Sequence, residues 1–258
     1  MGGNRYAVVS DKSAEDGFFV WTLDIDPASG ELKAATSEGF RSSHQPNRDS
    51  EGIAFNPSSN TIFISGESDN YSLDGKLTGR EIPPTPFFQK LPGNLGLEAL
   101  SYNDSTRLLW TCNESGEIRI QNYTADLKPQ NHYAYTLDEP IADKAKAQFY
   151  AHGIGTVCAL DDGSLLLLER EFYVPRKKIG SFVNCKLFHL VPGKGGKQLL
   201  AQWRTSLTLT RRNIANYEGM CLGPKLKDGS RVLVLVADSQ DQYGGVLKDW
   251  IKTIRLYL

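Results

Sequence analysis

Acidic residues recur at fixed places in a pattern that repeats along this sequence. Each copy starts with an acid, continues through an apolar segment, a polar turn and a second apolar segment, and ends with another acid. The copies begin at Glu51, Glu98, His152 and Glu218, with histidine replacing the acid once. They end at Glu67, Glu114, Glu169 and Asp238, and a half copy ends at Asp11. Carboxylates gathered in one place repel one another, so the pattern predicts shifted pKa values, paired basic groups or bound metal ions.

The two apolar segments of each copy have the length and residue types of β-strands, and turn-forming residues join them. In an antiparallel hairpin the start of the first strand lies beside the end of the second. If the first strand of each copy lines a central axis, the opening and closing acids therefore gather at one mouth of that axis.

The segments between the copies have room for two further strands, for example over 118–123 and 132–137. Four antiparallel strands in every ~40–50 residues are typical of a β-propeller blade. The sequence thus predicts an all-β propeller of four-stranded antiparallel blades, with five recognisable sectors and five or six blades, in one domain over 1–258. We expect the first sector to lack its inner strand, and residues 141–148 to hold the one helical turn. A large β-sandwich would give no reason for the repeated acids.

Composition excludes several classes of protein. The chain has 258 residues, a net charge of −1 and 40% hydrophobic residues, which argues against global disorder and against a dedicated nucleic-acid binder. No apolar run approaches the ~18 residues of a membrane-spanning helix. The four cysteines lack zinc-site spacing, and free thiols are favoured over disulfides.

The chemistry of the acids favours a hard cation. Oxygen-only ligands suit Ca²⁺ better than zinc or copper, and the predicted metal ligands are Asp11, Glu67, Glu114, Glu169 and Asp238. Basic residues beside the acids could hold phosphate oxygens, and these are Lys12, Arg48, Arg170 and Arg211. We predict catalytic roles for Glu51, Glu98, His152 and Glu218. The open alternative is architectural: the acids would bond backbone amides and the arginines, and His152 would be structural.

Several motifs together resemble one protein family, the phytase-like propeller domains described by an esterase-like activity of phytase. The resemblance rests on the ordered set Glu51-Gly52, Glu98-Ala99, Glu169-Arg170, Glu218-Gly219 and Asp238-Ser239 with their apolar flanks, and it covers nearly the whole chain. It implies an exported bacterial propeller with a signal peptide or lipoprotein leader, and Ca²⁺-assisted hydrolysis of phosphate esters. The chain departs from the family in two ways: the first inner strand, with its Ser-Gly pair, is absent before Gly2, and the catalytic signatures of the established propeller phytases are not recognisable.

Three functions follow as hypotheses. The first is a periplasmic or extracellular, monomeric hydrolase of a small phosphate ester or other anionic ligand. The second is a non-catalytic cell-envelope propeller that binds a ligand or a protein partner. A carboxylesterase ranks last, because no Gly-x-Ser-x-Gly motif occurs and no histidine lies beside Ser10, Ser50 or Ser65 in the sequence.

Overall fold

Five antiparallel sheets follow one another along the chain in the computed structural model. The structure describes residues 1–66, 72–74, 81–82, 85–91, 97–239 and 247–257. Sheet 1 contains β1 (Arg5–Val9), β2 (Glu15–Ile25) and β3 (Leu32–Pro46). Sheet 2 contains β4 (Ser50–Asn56), β5 (Thr61–Gly66), β6 (Ser72–Asp74) and β7 (Glu81–Ile82). Sheet 3 contains β8 (Leu97–Asn103), β9 (Leu108–Asn113), β10 (Ile118–Tyr123) and β11 (Pro129–Tyr135).

The last two sheets complete the fold. Sheet 4 contains the long strands β12 (Ala147–Ala159), β13 (Leu165–Pro175), β14 (Ser181–Leu190) and β15 (Gln198–Leu207). Sheet 5 contains β16 (Asn216–Lys225), β17 (Arg231–Asp238) and β18 (Ile251–Leu256). Two single 3-10 turns, Phe88–Lys90 and Lys144–Lys146, are the helical elements of the described residues. Neither could cross a membrane, and no other described segment forms a spanning helix.

The sheets close into a ring through five hydrophobic clusters. The closing cluster joins Leu23 of sheet 1 to Leu226 and Val232 of sheet 5. The other clusters contain Phe18 and Ile64 (sheets 1 and 2), Phe63 and Leu109 (sheets 2 and 3), Ile120 and Leu167 (sheets 3 and 4), and Leu168 and Leu235 (sheets 4 and 5). Each sheet therefore buries both faces against its neighbours, as the blades of a propeller do.

The first strands of sheets 2 to 5 converge on the axis of the ring. Strand β8 contacts β4 and β12, β12 contacts β16, and β8 also contacts β16 across the axis. Close approach requires small residues here. A Cβ on Gly52 would lie 2.8 Å from the backbone nitrogen of Leu100 in the neighbouring sheet, which leaves no room for a side chain. The centre is therefore narrow and lined by the segments that carry the opening acids.

The all-β fold of antiparallel four-stranded sheets is confirmed, and five sheets form the ring of the described residues. In three sheets the hairpin register brings the start of the first strand beside the end of the second: Ser50 pairs with Gly66, Leu97 with Asn113, and Asn216 with Asp238. The predicted helical turn shortens to one 3-10 turn, with the Asp143 carboxylate accepting a hydrogen bond from the Ala145 N–H. Sheets 1 and 5 each have three strands among the described residues.

Candidate functional site

A buried arginine lies at the centre of the acids near the axis. The Nη2 atom of Arg170 lies 2.9 Å from Oε1 of Glu114 and 2.6 Å from Oε1 of Glu218. Arg170 is 5% exposed. Burial disfavours its charge, but Glu218, Glu114 and more distant carboxylates raise the pKa of Arg170 above its ordinary value. One cation on β13 thus compensates acids carried by sheets 3 and 5.

Two glycines in β12 leave room for the Arg170 side chain to reach this position. A Cβ on Gly155 would lie 2.8 Å from the carbonyl oxygen of Tyr217 and 3.2 Å from Cδ of Arg170. A Cβ on Gly153 would lie 2.5 Å from the carbonyl oxygen of Glu114. The two glycines therefore allow both the arginine stem and the neighbouring backbone to cross β12.

Substituting Gly155 with alanine is expected to displace Arg170 and destabilise the fold by about 1–3 kcal/mol, because backbone atoms must move to admit the methyl group. Gly195→Ala is the matched control, since nothing lies within 4 Å of a Cβ at that turn. Chemical denaturation of both variants measures the difference. Equal stability of the two variants would contradict the close packing around Gly155.

Two carboxyl groups on adjacent strands share a hydrogen bond beside Arg170. Glu218 on β16 bonds with Asp238 at the end of β17, and Nδ2 of Asn216 donates to Oε1 of Glu218 over 2.9 Å. Burial raises the pKa of Glu218 to about 7, Asp238 adds to the rise, and Arg170 opposes it. Glu218 therefore changes its charge near neutral pH, which suits a general base.

Glu98 on β8 belongs to the same cluster and is buried. Burial, followed by the charges of Glu114 and Glu51, raises its pKa well above the usual value. Arg170 and Glu218 also act on Glu98. The structure thus brings together Glu51, Glu98, Glu114, Arg170 and Glu218, with Asp238 bonded to Glu218, and we call this group the Arg170 cluster.

A second group of acids lies where sheets 1 and 2 meet. Carboxylate oxygens of Asp11, Asp49 and Glu51 all lie within 4.8 Å of one another, and the three residues are partly buried. Nζ of Lys12 lies 2.9 Å from Asp11 and 3.9 Å from Asp49, and its hydrogen bond to Asp11 raises the pKa of Lys12. Because Glu51 also acts on Arg170 and Glu98, this acidic triad adjoins the Arg170 cluster.

Arg48 has a different position from the one expected of a phosphate-binding residue. Its Nε donates to Oδ2 of the fully buried Asp16 over 2.8 Å, and its backbone N–H donates to Oδ1 of the same residue. Ser50 also bonds to Asp16. Arg48 thus joins sheet 1 to sheet 2, and its predicted contact with substrate stays a prediction.

Glu169 lies apart from the Arg170 cluster. Its carboxylate accepts hydrogen bonds from Oη of Tyr135 over 2.6 Å and from the backbone of Asp138, and it pairs with Lys197. Neighbouring residues of a strand point to opposite faces, so Glu169 faces sheet 3 with Leu167, whereas Arg170 faces sheet 5 with Leu168. The structure does not bring Glu169 to the other acids, and its role as a metal ligand stays an unsupported prediction.

His152 belongs to the surroundings of Glu169 rather than of Arg170. It pairs with Glu171 across β12 and β13, and burial lowers its pKa despite the nearby Glu171 and Glu169 carboxylates. Glu171 itself accepts hydrogen bonds from the backbone of Ile141 and Ala142 and from Tyr150. This arrangement favours a structural role, and the catalytic role of His152 stays a prediction.

Two predicted site residues remain, one for substrate binding and one for metal binding. Arg211 lies exposed in the loop between β15 and β16, and Glu67 lies outside the described residues.

Sequence reasoning missed Asp49, Asp16 and Asn216. Asp49 has a positive φ of 62°, a conformation that aspartate tolerates better than most residues. Its position between Arg48 and Glu51 in an acid-rich turn was the available signal.

Comparison with known proteins agrees with this architecture. A family model described as "Phytase-like: Esterase-like activity of phytase" matches residues 1–240. The chain belongs to this phytase-like family. A comparison with curated proteins gives no match.

Solved structures similar to the chain are distant. Hydrazine synthase of Kuenenia stuttgartiensis shares 10% identity at a TM-score of 0.42, over 93% of this chain and 78% of that one. An endo-1,4-beta-xylanase from Bacteroides thetaiotaomicron shares 15% identity at a TM-score of 0.47, over 92% and 81%. A 6-phosphogluconolactonase-like protein from Bacteroides uniformis shares 12% identity at a TM-score of 0.37, over 98% of this chain and 85% of that one. Similarities this distant support no argument about the activity of this chain.

Proposed function

We propose that this phytase-like protein is an exported, Ca²⁺-assisted hydrolase of phosphate esters, with its site at the acidic triad and the adjoining Arg170 cluster. The observation that carries the proposal is the meeting of Asp11, Asp49 and Glu51 within 4.8 Å, with Glu51 also close to Glu98 and Arg170 of the Arg170 cluster. Membership of the family supports the reaction class. Location outside the cytoplasm is part of the proposal.

The donor set of the triad fits calcium. All three residues offer hard carboxylate oxygens, which Ca²⁺ prefers, and Lys12 offsets part of their mutual repulsion through its ion pairs with Asp11 and Asp49. Lys12 is mostly exposed, so its flexible side chain can leave the carboxylates and bind a phosphate oxygen. When bound, Ca²⁺ would supply positive charge that polarises a phosphoryl oxygen and lowers the pKa of a coordinated water.

The residues of the Arg170 cluster provide proton transfer and polar contacts. Glu218 can accept a proton from water as the water oxygen attacks phosphorus, and the ester P–O bond breaks as the leaving oxygen takes a proton from solvent, so that phosphate and the alcohol are released. Arg170 holds Glu218 in place. Nε and Nη1 of Arg170 and Oδ1 of Asn216 are buried without hydrogen-bond partners among the described residues. Such groups are costly to leave unsatisfied, which favours a polar ligand or water at this point.

Calcium binding by the triad is the direct test. We expect saturating Ca²⁺ to raise the melting temperature by roughly 5–10 °C over EGTA, and Asp49→Asn and Glu51→Gln to weaken binding by at least about tenfold. Asp126→Asn, in the exposed turn between β10 and β11, is the matched control. Calorimetric titration measures the affinities. A chain that binds no Ca²⁺ would refute the metal site.

Turnover separates the hydrolase from the alternative, a non-catalytic cell-envelope propeller. Ion pairs within the Arg170 cluster favour that alternative, because they compensate the acids without any ligand. Phosphate release from phytate and p-nitrophenyl phosphate is measured with Ca²⁺ and with EGTA. Release that requires Ca²⁺ and is lost in Glu51→Gln and Glu218→Gln supports the hydrolase, whereas Ca²⁺ binding without release supports the binding protein.

A further inference from the structure

Three loops at one end of sheets 4 and 5 combine exposed apolar residues with clustered cations. The β13–β14 turn carries Arg176, Lys177 and Lys178 before Ile179, which is 53% exposed. The loop after β15 carries Leu209, 80% exposed, before Arg211 and Arg212. The segment before β18 carries Lys248 and Trp250, the latter 40% exposed. We call residues 176–180, 208–214 and 247–250 the basic rim.

The three segments of the basic rim meet one another. A small apolar cavity of about 10 Å³ is lined by Lys178, Leu207, Ile214 and Leu247, which come from all three segments and their flanks. The backbone N–H of Gly180 donates to the carbonyl of Leu207 over 2.7 Å and joins two of the loops. The rim is therefore one surface rather than three separate loops.

Backbone hydrogen bonds hold the apolar tips outward. Lys178 N–H donates to the Pro175 carbonyl over 2.9 Å and closes the turn below Ile179. Thr208 N–H donates to the Arg211 carbonyl over 2.7 Å, with Leu209 between them. The Trp250 carbonyl accepts from Ala237 N–H over 2.8 Å. These hydrogen bonds order the backbone that carries the exposed Ile179, Leu209 and Trp250 side chains.

Charge distinguishes the rim from the rest of the chain. The three segments contain six lysines and arginines and one acid, Asp249, although the whole chain has a net charge of −1. The Asp249 carboxylate already accepts a hydrogen bond from the backbone of Ser239. Cations that flank exposed Leu, Ile and Trp side chains are the chemistry that binds a bilayer with anionic headgroups, since the charges attract the headgroups and the apolar tips enter the interface.

We propose that the basic rim docks the protein on an anionic phospholipid surface. The acidic triad lies on sheets 1 and 2, whereas the rim is carried by sheets 4 and 5. Docking does not require catalysis, so this proposal is independent of whether the chain hydrolyses phosphate esters or only binds a ligand.

Vesicle sedimentation in EGTA tests the proposal, because EGTA removes any calcium bridge. We expect the full chain to sediment with phosphatidylcholine vesicles that contain phosphatidylglycerol, and not with phosphatidylcholine alone. Binding should weaken as salt is added, and Trp250 fluorescence should shift to the blue, a shift that Trp250→Phe removes.

Two double variants separate the contribution of the cations to vesicle binding from that of the apolar side chains. Arg176→Glu/Lys177→Glu and Ile179→Ser/Leu209→Ser should each lower binding by about tenfold or more. The control is Val191→Ser/Lys194→Glu, which makes the same kinds of change in the β14–β15 turn at the opposite end of sheet 4. Melting curves verify that each variant is folded. Equal binding to neutral vesicles, no binding to either kind, or an equal loss in the control would overturn the proposal, as would binding that the apolar variant leaves unchanged.

Discussion

Replacing Arg170 with methionine is expected to cost about 3–5 kcal/mol of unfolding free energy, because it leaves buried carboxylates without their cation. Glu114 and Glu218 lose their shared partner, while methionine keeps most of the apolar stem. The melting temperature should fall by roughly 10 °C or more. Urea denaturation at neutral pH measures the change.

Two comparisons make this result specific to the buried charges. Arg255→Met removes a partly exposed partner of the exposed Asp228 and should cost no more than about 1 kcal/mol. Adding Glu114→Gln and Glu218→Gln to Arg170→Met should restore part of the lost stability, since neutral amides replace the uncompensated acids. A loss in Arg170→Met no larger than that in Arg255→Met would contradict the central role of the arginine.

The unfolding free energy should fall as pH rises from about 4.5 through 7. The pKa of Glu218 is raised to about 7 in the folded protein, and that of Glu98 is also raised, so the folded chain holds protons that the unfolded chain has released. The stability that these two carboxyl groups contribute then decreases with pH in this window. For Glu218 alone the change is about 1–3 kcal/mol.

Glu218→Gln should flatten this dependence and stabilise the protein at pH values above the pKa of the carboxyl group. Denaturation across the pH range in EGTA measures it, with Glu139→Gln as the exposed control. A slope that is the same in the parent chain and in Glu218→Gln would refute the burial of a titrating carboxyl group at this position.

The hairpins of the fold could be predicted because they depend on local residue patterns. Strand-sized apolar runs such as 61–64 and 232–236 are separated by turn residues, and the repeated acids mark where each pair of strands begins and ends. The same pattern predicted Glu51, Glu98, Glu114 and Glu218 near one another, since antiparallel pairing fixes which strand ends meet.

Contacts between sheets could not be predicted in the same way. Glu169 and Arg170 are adjacent in the sequence, and both were expected at the mouth. Alternation along β13 turns them to opposite faces, and only the packing of sheets 3 and 5 against those faces determines that Arg170 meets the acids. Likewise, Asp49 joins Asp11 and Glu51 only because sheet 2 packs beside sheet 1.

The sequence by itself determined an all-β chain of repeated hairpins, the family to which it belongs, and the set of acids available for a site. Those properties follow from short-range spacing of apolar, turn-forming and acidic residues. Tertiary structure decided which carboxylate meets which cation, because that depends on distances between strands far apart in the chain. It placed Arg170 at the centre of one cluster, paired Arg48 with the buried Asp16, and brought the carboxylates of Asp11, Asp49 and Glu51 within 4.8 Å of one another.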